Sequence, residues 1–533
     1  MYQCRNCGSG LTYEIASGKL HCSRCDSRFT PAEVEDQTVR HGENGMQGYC
    51  YTCPNCGGSL FTVDTTATTF CSFCGSSVLL EEKLASEMAP DMIIPFRVTR
   101  EEGLEKYRQW TRGVFCASRE MRTAPAESFR AIYMPYVNYE TRFSGPLTGK
   151  TTQVSGNYQY TYQVSGDISC EDRWFLRDLS QALPDDHSQA ISDYAEKDAI
   201  PFSPPYLAGL NADVPDVHPD TYAQEARRNT AVEATEALYK NGDGSPDGSE
   251  KVKTAESAMN RTQITGRKQV LLPVWFMALR MKDRVCYAMV NGATGTVSAD
   301  LPVNIPRFLL YILALAVPIF LLLNLVLGWT MKPEVTMVIG TLAMAVMTWL
   351  TRSQFNRQIE REGEQERLRQ ETSRLKEADP TEAVSREEDS RKLRKAVGGG
   401  GWKTVAGMLP LIIVAVVWVF LNSGMNVGGV VSALSGLLST IPFLIFFTLG
   451  TAVGAFWGTR RKYAAVIAGL VLCVAACVMS FAGIHTDEPF YAAGVALLLC
   501  SLWAALEMIR AFNRSCSNPI PVFETHRGGE EDA

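Results

Sequence analysis

The stretch Cys4-Arg5-Asn6-Cys7-Gly8, answered by His21-Cys22-Ser23-Arg24-Cys25-Asp26, decides the first part of the fold, because the same pattern returns 49 residues later. There it reads Cys53-Pro54-Asn55-Cys56-Gly57 and Cys71-Ser72-Phe73-Cys74-Gly75. Fourteen residues separate the two pairs in each set, and Tyr2, Leu11 and their flanks map onto Tyr51 and Leu60 by the same offset. This is the mark of a duplicated module. A C-x-x-C turn puts two thiolates on one side of a tight loop, and two such turns close a tetrahedral sulfur cage around zinc. The spacing therefore predicts two zinc ribbons, over 1–40 and 48–88. The first holds its ion through Cys4, Cys7, Cys22 and Cys25, and the second through Cys53, Cys56, Cys71 and Cys74. Segments this short bury too little apolar surface to fold without the metal. Glycine follows three of the second cysteines and Asp26 the fourth, where the turn calls for positive φ. The competing readings are disulfides, which want an oxidising compartment, and a redox pair, which wants a βαβ context absent here. His21 reads as a loop histidine, since four cysteines already close the site.

A net charge of -6, 20% charged residues and a mean hydropathy near zero resemble an ordinary soluble chain. The apolar residues, however, are segregated toward the C-terminal half. Runs at 308–328, 335–350, 404–421, 439–457, 463–484 and 490–509 lie near the length of a spanning helix, the second being the shortest. They predict an all-α membrane domain of six helices, two in 305–351 and four in 404–512. Lys332 is the only basic residue of the three predicted outer loops, whereas Arg352 to Lys403, Arg460, Arg461, Lys462, Arg510 and Arg514 fall on the other side. That asymmetry predicts an inner-membrane protein with both termini, including the tail 513–533, in the cytoplasm. Cys4 stands too near the start for a signal peptide to precede it, so the ribbons are expected in reducing cytosol. Cys50, Cys116, Cys170, Cys286 and Cys516 then read as free thiols. Cys473, Cys477 and Cys500 read as packing residues of predicted spans.

Residues 90–304 read as an α+β, strand-rich cytoplasmic region. Thr99 and Glu102 form a capping box before one helix, and another runs from Pro219 to Lys240. Strands are expected at Tyr158 to Val164, Val274 to Met281 and Val285 to Val290, the last entering a turn at Asn291-Gly292-Ala293-Thr294-Gly295. Ile94-Pro95-Phe96 before a helix and Tyr133-Met134-Pro135-Tyr136 is echoed by Ile200-Pro201-Phe202 and Leu272-Pro273-Val274-Trp275. Either chance or two related halves, 90–190 and 195–304, produces so short an echo. Gly145-Pro146-Leu147-Thr148-Gly149-Lys150-Thr151 has three residues between its glycines where a phosphate loop needs four, and reads as a hairpin turn. His218-Pro219-Asp220 reads as a helix start. No H-E-x-x-H, G-x-S-x-G or G-x-G-x-x-G occurs, so no enzyme and no small-molecule substrate is expected. The loop 352–403 holds 13 basic and 11 acidic residues, interspersed as on a solvated helix.

Taken together, these residues resemble a family of bacterial membrane-anchored proteins with tandem N-terminal zinc ribbons of the transcription-factor-IIB or primosomal-protein-like type. The resemblance covers about 1–330. It rests on Cys4 to Cys74, Ile94-Pro95-Phe96, Tyr133-Met134-Pro135-Tyr136, the run from Pro201 to Gly209, Leu271 to Trp275, and Asn291 to Gly295 leading to Leu301-Pro302. It implies a non-enzymatic adaptor of the membrane. It also implies protein partners of the phage-shock-protein-A-like, flotillin-like or TPM-domain kinds that accompany some relatives in envelope stress. Members commonly end after one or two spans; the charged loop and four further helices depart from that pattern. Two other functions compete. Nucleic-acid binding is disfavoured by six basic against ten acidic residues in 1–90. Transport is disfavoured by the scarcity of ionisable residues in the later spans before Glu507.

Overall fold

The computed structural model describes residues 2–35, 46–53, 58–62, 73, 81–87, 90–114, 116–123, 129–155, 158–180, 185–240, 246, 248–281, 284–321, 336–348, 350, 448, 464–481 and 486–519. They form a multidomain arrangement: a three-stranded sheet, a twelve-stranded sheet with helices against it, and apolar helices toward the C-terminus.

The three-stranded sheet is an antiparallel meander of Leu11–Glu14 (β1), Lys19–Cys22 (β2) and Arg28–Phe29 (β3), followed by the short helix Pro31–Glu35 (α1). Alternation buries Leu11, Tyr13, Leu20 and Cys22 on one face. That core is small, and it is completed by a neighbouring segment: Tyr13 donates its N–H to the Ala208 carbonyl at 2.8 Å and packs its ring on Tyr206 at 5.4 Å.

Met46–Thr52 (β4), Ser59–Thr62 (β5) and Glu81–Glu87 (β6) belong to the second cysteine segment, with β4 between the other two. They do not stand apart as the boundary 48–88 suggests. Leu60, Phe73 and Cys53 are buried with Ile132, Met134 and Phe276 of the central sheet, the Phe73 and Phe276 rings meeting edge-on at 6.3 Å.

The central region repeats one topology. Its first pass is strand Met92–Ile93 (β7), helices Arg100–Arg112 (α2) and Arg119–Arg122 (α3), and the hairpin Arg130–Ser155 (β8) and Tyr158–Asp178 (β9). After helix Asp185–Ala190 (α4) and strand Ile200–Pro201 (β10), the second pass is strand Asn211–Asp213 (β11), helices Ala223–Lys240 (α5) and Gly248–Met259 (α6), and the hairpin Gln263–Met281 (β12) and Arg284–Asn291 (β13). Strand Val297–Ala299 (β14) then pairs with β13. The two long strands β8 and β12 pair antiparallel about Met134↔Leu272. Exchanging them about that point lays Met92↔Val270 and Ile93↔Leu271 on Asn211↔Ile132 and Ala212↔Tyr133, and Val274↔Asn291 on Tyr136↔Asp178. Even single bonds match: Leu179 N–H to Pro135 O and Gly292 N–H to Pro273 O are both 2.8 Å. The Pro95/Pro201 echo is displaced by one strand, however. β10 pairs with β7 itself, and β11 fills the slot equivalent to β7.

Capping follows the sequence at α2, where the Thr99 hydroxyl accepts from Glu102 N–H and the Glu102 carboxylate accepts from Thr99 N–H. Gly145 to Thr151 corrects the expected hairpin turn, for it lies inside β8, paired from Ile168 to Tyr162 of β9. Gly149 marks a close approach instead: a Cβ there would collide with the Tyr239 hydroxyl, which bonds Thr254 at 2.9 Å beneath the strand.

The pseudo-equivalent residues Asp178 and Asn291 differ in charge, and a pH effect follows. Asp178 is buried, its Oδ1 accepting from Ser188 Oγ at 2.6 Å, and burial pushes its carboxyl up to about 6. An unfolded aspartate titrates near 3.9. The fold therefore favours the protonated form: this contribution is fully present below about pH 4 and is lost as pH rises through 6, a difference on the order of 2–3 kcal/mol. Asp178→Asn should melt higher than wild type at pH 7.5 and close to it at pH 4. A gain independent of pH would refute this assignment.

Four apolar helices complete the described chain: Ile305–Leu321 (α7), Thr336–Thr348 (α8), Ala464–Phe481 (α9) and Glu488–Ser515 (α10). They fall on four of the six predicted spans; the spans at 404–421 and 439–457 and the loop 352–403 lie outside the described residues, position 448 apart. Among the described residues one helix, Glu488–Arg514, is long and apolar enough to cross a membrane. α8, α9 and α10 share a core of Met337, Met344, Ala465, Cys473, Leu497 and Ala504. Their outer faces carry bare apolar side chains, such as Val471 at 63% and Leu499 at 61% exposure, and α7 exposes Leu310, Leu313 and Leu315.

Candidate metal centre

Two identical backbone turns aim the four cysteines of the first module. Cys4 N–H bonds Ser9 O and Gly8 N–H returns to Cys4 O; Cys22 N–H bonds Ser27 O and Asp26 N–H returns to Cys22 O. The return bond requires a left-handed residue, and Gly8 and Asp26 have φ of 72° and 55°. The sulfurs converge as a result. Cys4 Sγ lies 3.4 Å from Cys25 Sγ, Cys7 Sγ lies 3.4 Å from Cys22 Sγ, and all four are within 4.8 Å of one another. Disulfide bonding, at about 2.05 Å, is far from this geometry. A tetrahedron of sulfurs around zinc at about 2.3 Å has edges of about 3.8 Å, which the observed spacing fits.

The electrostatics point to a cation as well. The hydrogen bond with the Ser27 hydroxyl, then the Ser27 amide, brings the Cys25 thiol down to about 6. At Cys7 the Ser9 amide favours the thiolate, but Cys22, Cys25, burial and Cys4 together outweigh it and push the thiol up to about 12. Four thiolates in one cage thus oppose one another unless a metal ion compensates them. His21 is no ligand here: its Nε2 is 2.7 Å from Asp26 Oδ1, and Arg28 lies 3.8 Å from the same oxygen. That pairing steadies the left-handed turn at Asp26.

In the second module Cys53 is fully buried, and its N–H bonds Gly58 O at 2.9 Å, the counterpart of Cys4 with Ser9. Thr52↔Ser59 likewise repeats the Gln3↔Gly10 bridge of the first module. Cys56, Cys71 and Cys74 lie outside the described residues, so one four-cysteine cluster, Cys4, Cys7, Cys22 and Cys25, is on view among the described residues.

Two polar constellations escaped the sequence reading. Ser298 Oγ, His187 Nδ1, His187 Nε2 and Asp300 Oδ1 run in a chain at 2.7 and 2.9 Å. Ser298 and Asp300 sit two apart beside β13, so the histidine fastens α4 to that edge, and Asp300 also accepts from Tyr287 N–H at 3.0 Å. Ser298 is only 8% exposed, and the chain staples α4 to the sheet. The other is a group of arginines beside α7, whose members come from three separate segments.

No family model matches the chain, and no solved structure matches it. It is similar to a protein of Bacillus subtilis (strain 168) described as the uncharacterized protein YdjG, 24% identical over 334 residues. That alignment spans 96% of the relative but 61% of this chain, so more than a third of the present sequence extends beyond the shared part.

Proposed function

We propose that the chain is a non-enzymatic, multi-pass adaptor of the cytoplasmic membrane, whose two structural zinc ribbons and strand-rich domain hold cytoplasmic or membrane proteins at the bilayer. The observation that carries this reading is that the first and last apolar helices are tied to the same folded domain. At the start of α7, Asn304 N–H bonds Cys116 O, Ser118 N–H bonds Pro302 O, and Ala117 bridges Val303. At the end of α10, Asn513 bonds both the N–H and the carbonyl of Val303, at 2.7 and 2.8 Å, and Asn518–Pro519 (β15) pairs with β13. A chain that leaves and re-enters one domain crosses a bilayer an even number of times, which agrees with six spans and with both termini on the basic, reducing side.

The domain also offers a surface suited to proteins. β8 runs away from the membrane-proximal end for 26 residues, on the order of 80 Å if straight. Near its far end Tyr158, Tyr160 and Tyr162 of β9 are 70%, 47% and 46% exposed, with successive rings 6.4 Å apart. Exposed tyrosine ladders are common anchors of protein interfaces. Partners of the phage-shock-protein-A-like, flotillin-like or TPM-domain kinds are the ones the family resemblance suggests.

The test is affinity purification of the full chain from native membranes in mild detergent. Wild type is set beside Cys4→Ser/Cys53→Ser and beside Tyr158→Ser/Tyr160→Ser/Tyr162→Ser, with bound protein and nucleic acid quantified. Specific proteins lost from either variant are expected. Salt-sensitive nucleic acid retained by wild type alone would overturn the adaptor reading in favour of a tethered nucleic-acid binder.

A further inference from the structure

Five arginines converge where α7 begins. Arg108 and Arg112, one turn apart on α2, join Arg119 and Arg122 of α3 and Arg307 of α7 around a pocket of about 560 Å³ completed by Thr111 and Thr123. No carboxylate of the described residues lines it. Among the described residues none of the five guanidinium groups lies within ion-pair distance of an acid, although elsewhere the same domain pairs Arg142, Arg173 and Arg177 with Glu171 and Glu225. Guanidinium groups do not discharge at any physiological pH, so the pocket stays cationic and attracts anions.

The assembly is held in place by backbone bonds. The link between α2 and α3 is clasped to the segment leading into α7 through Cys116, Ala117 and Ser118, and Cys116 adopts a left-handed φ of 59° there. A non-glycine residue in that conformation is kept there by its surroundings. A general excess of basic residues on the cytoplasmic side accounts for single arginines near a span. It does not account for guanidinium groups from two soluble helices being turned into one cavity with the first turn of an apolar helix.

The position selects the anion. Leu309 and Leu310, 37% and 64% exposed, follow Arg307 by two and three residues, a rise of roughly 3–5 Å along the helix. We propose that this pocket binds the phosphate of an anionic lipid headgroup, drawn from the cytoplasmic leaflet at the mouth of α7. Arginine forks match phosphate oxygens two by two, and basic pockets at this depth are suited to such headgroups. The inference rests on the membrane-anchored reading for the source of the phosphate, and not for the phosphate chemistry itself.

The experiment uses the full chain reconstituted in nanodiscs of phosphatidylcholine with a minor share of phosphatidylglycerol, then released and weighed by native mass spectrometry. Wild type should retain phosphatidylglycerol. Arg112→Gln/Arg119→Gln/Arg122→Gln should retain it roughly a hundredfold more weakly, while Arg112→Lys/Arg119→Lys/Arg122→Lys, which keeps the charge, should fall between. Thermal melting and metal content establish that each variant is folded. Equal retention by the glutamine variant would overturn the proposal. So would saturable binding of inorganic pyrophosphate by wild type without lipid enrichment, which would assign the pocket to a free phosphate compound. Carbonate extraction of native membranes tests the anchoring reading separately, since release of the chain there would sink that reading whatever the pocket binds.

Discussion

Cys4→Ser should unfold residues 2–35 and leave the rest of the chain standing. Its measurable signs are one zinc fewer per chain and new protease cuts confined to that segment. Structural zinc contributes on the order of 10–16 kcal/mol to small modules of this kind, and the core around Leu11, Leu20 and Val34 is too small to replace it. The module meets the domain mainly through one segment, 204–210, whose Ala208 and Tyr206 pack into its core beside Tyr13 and Val34, so its collapse should spread no further than that segment. Cys53→Ser should behave differently, even though the two modules share one pattern. Cys53 lies in the same buried cluster as Phe73, Met134 and Phe276, and β5 pairs through Phe61 and Leu60 with β11 of the central sheet. If the second module holds an ion as proposed, Cys53→Ser should therefore lower the melting temperature of the whole soluble region and leave the proposed membrane insertion intact. Equal and local effects of both substitutions would show that the second segment is not integrated in the sheet, and full zinc content in Cys4→Ser would remove Cys4 from the metal site.

The contrast between the modules marks how far the sequence reaches. Spacing located the four clustered cysteines and foretold the left-handed turns at Gly8 and Asp26, because both follow from local chain geometry. It located the capping box at Thr99 and the turn after Asn291 for the same reason. What it missed is long-range. Gly149 looks like a turn residue until Tyr239 is seen beneath it, and nothing near Gly149 in the chain announces a tyrosine ninety positions on. The equivalence of β11 with β7 rests on register rather than on shared residues, so a search for matching prolines settled on β10 instead. The arginine pocket draws on α2, α3 and α7, each of which alone reads as a solvated face or a flanking charge. Pairing across the fold, and not composition, creates it.

The tie between the last apolar helix and the sheet supports the second large effect. Arg284, at the start of β13, donates from Nη2 to the Arg514 carbonyl at 2.7 Å and from Nε to Ser517 O and Oγ at 3.0 and 2.7 Å. Arg514 belongs to the final turn of α10, where carbonyls lack helical partners and a cation is favoured by the helix dipole. Charge-assisted bonds of this kind contribute roughly 1.5–3 kcal/mol each, so Arg284→Ala should cost the attachment about 3 kcal/mol, and Asn513→Ala, which frees Val303, about 2 kcal/mol more. The loss should be local. Amide hydrogens of residues 516–518 and of the first turn of α7 should exchange at least a hundredfold faster in Arg284→Ala, while β8 and β12, held by their own ladder, keep their protection. Because both residues fasten the same junction, the double variant should lose more than the sum of the singles when the remaining bond alone cannot hold the helix end in place. Unchanged exchange in Arg284→Ala would mean that the helix end is held by β15 alone. Exchange that rose throughout the sheet would mean that the junction is part of the global fold rather than a separable clasp between the last apolar helix and the sheet.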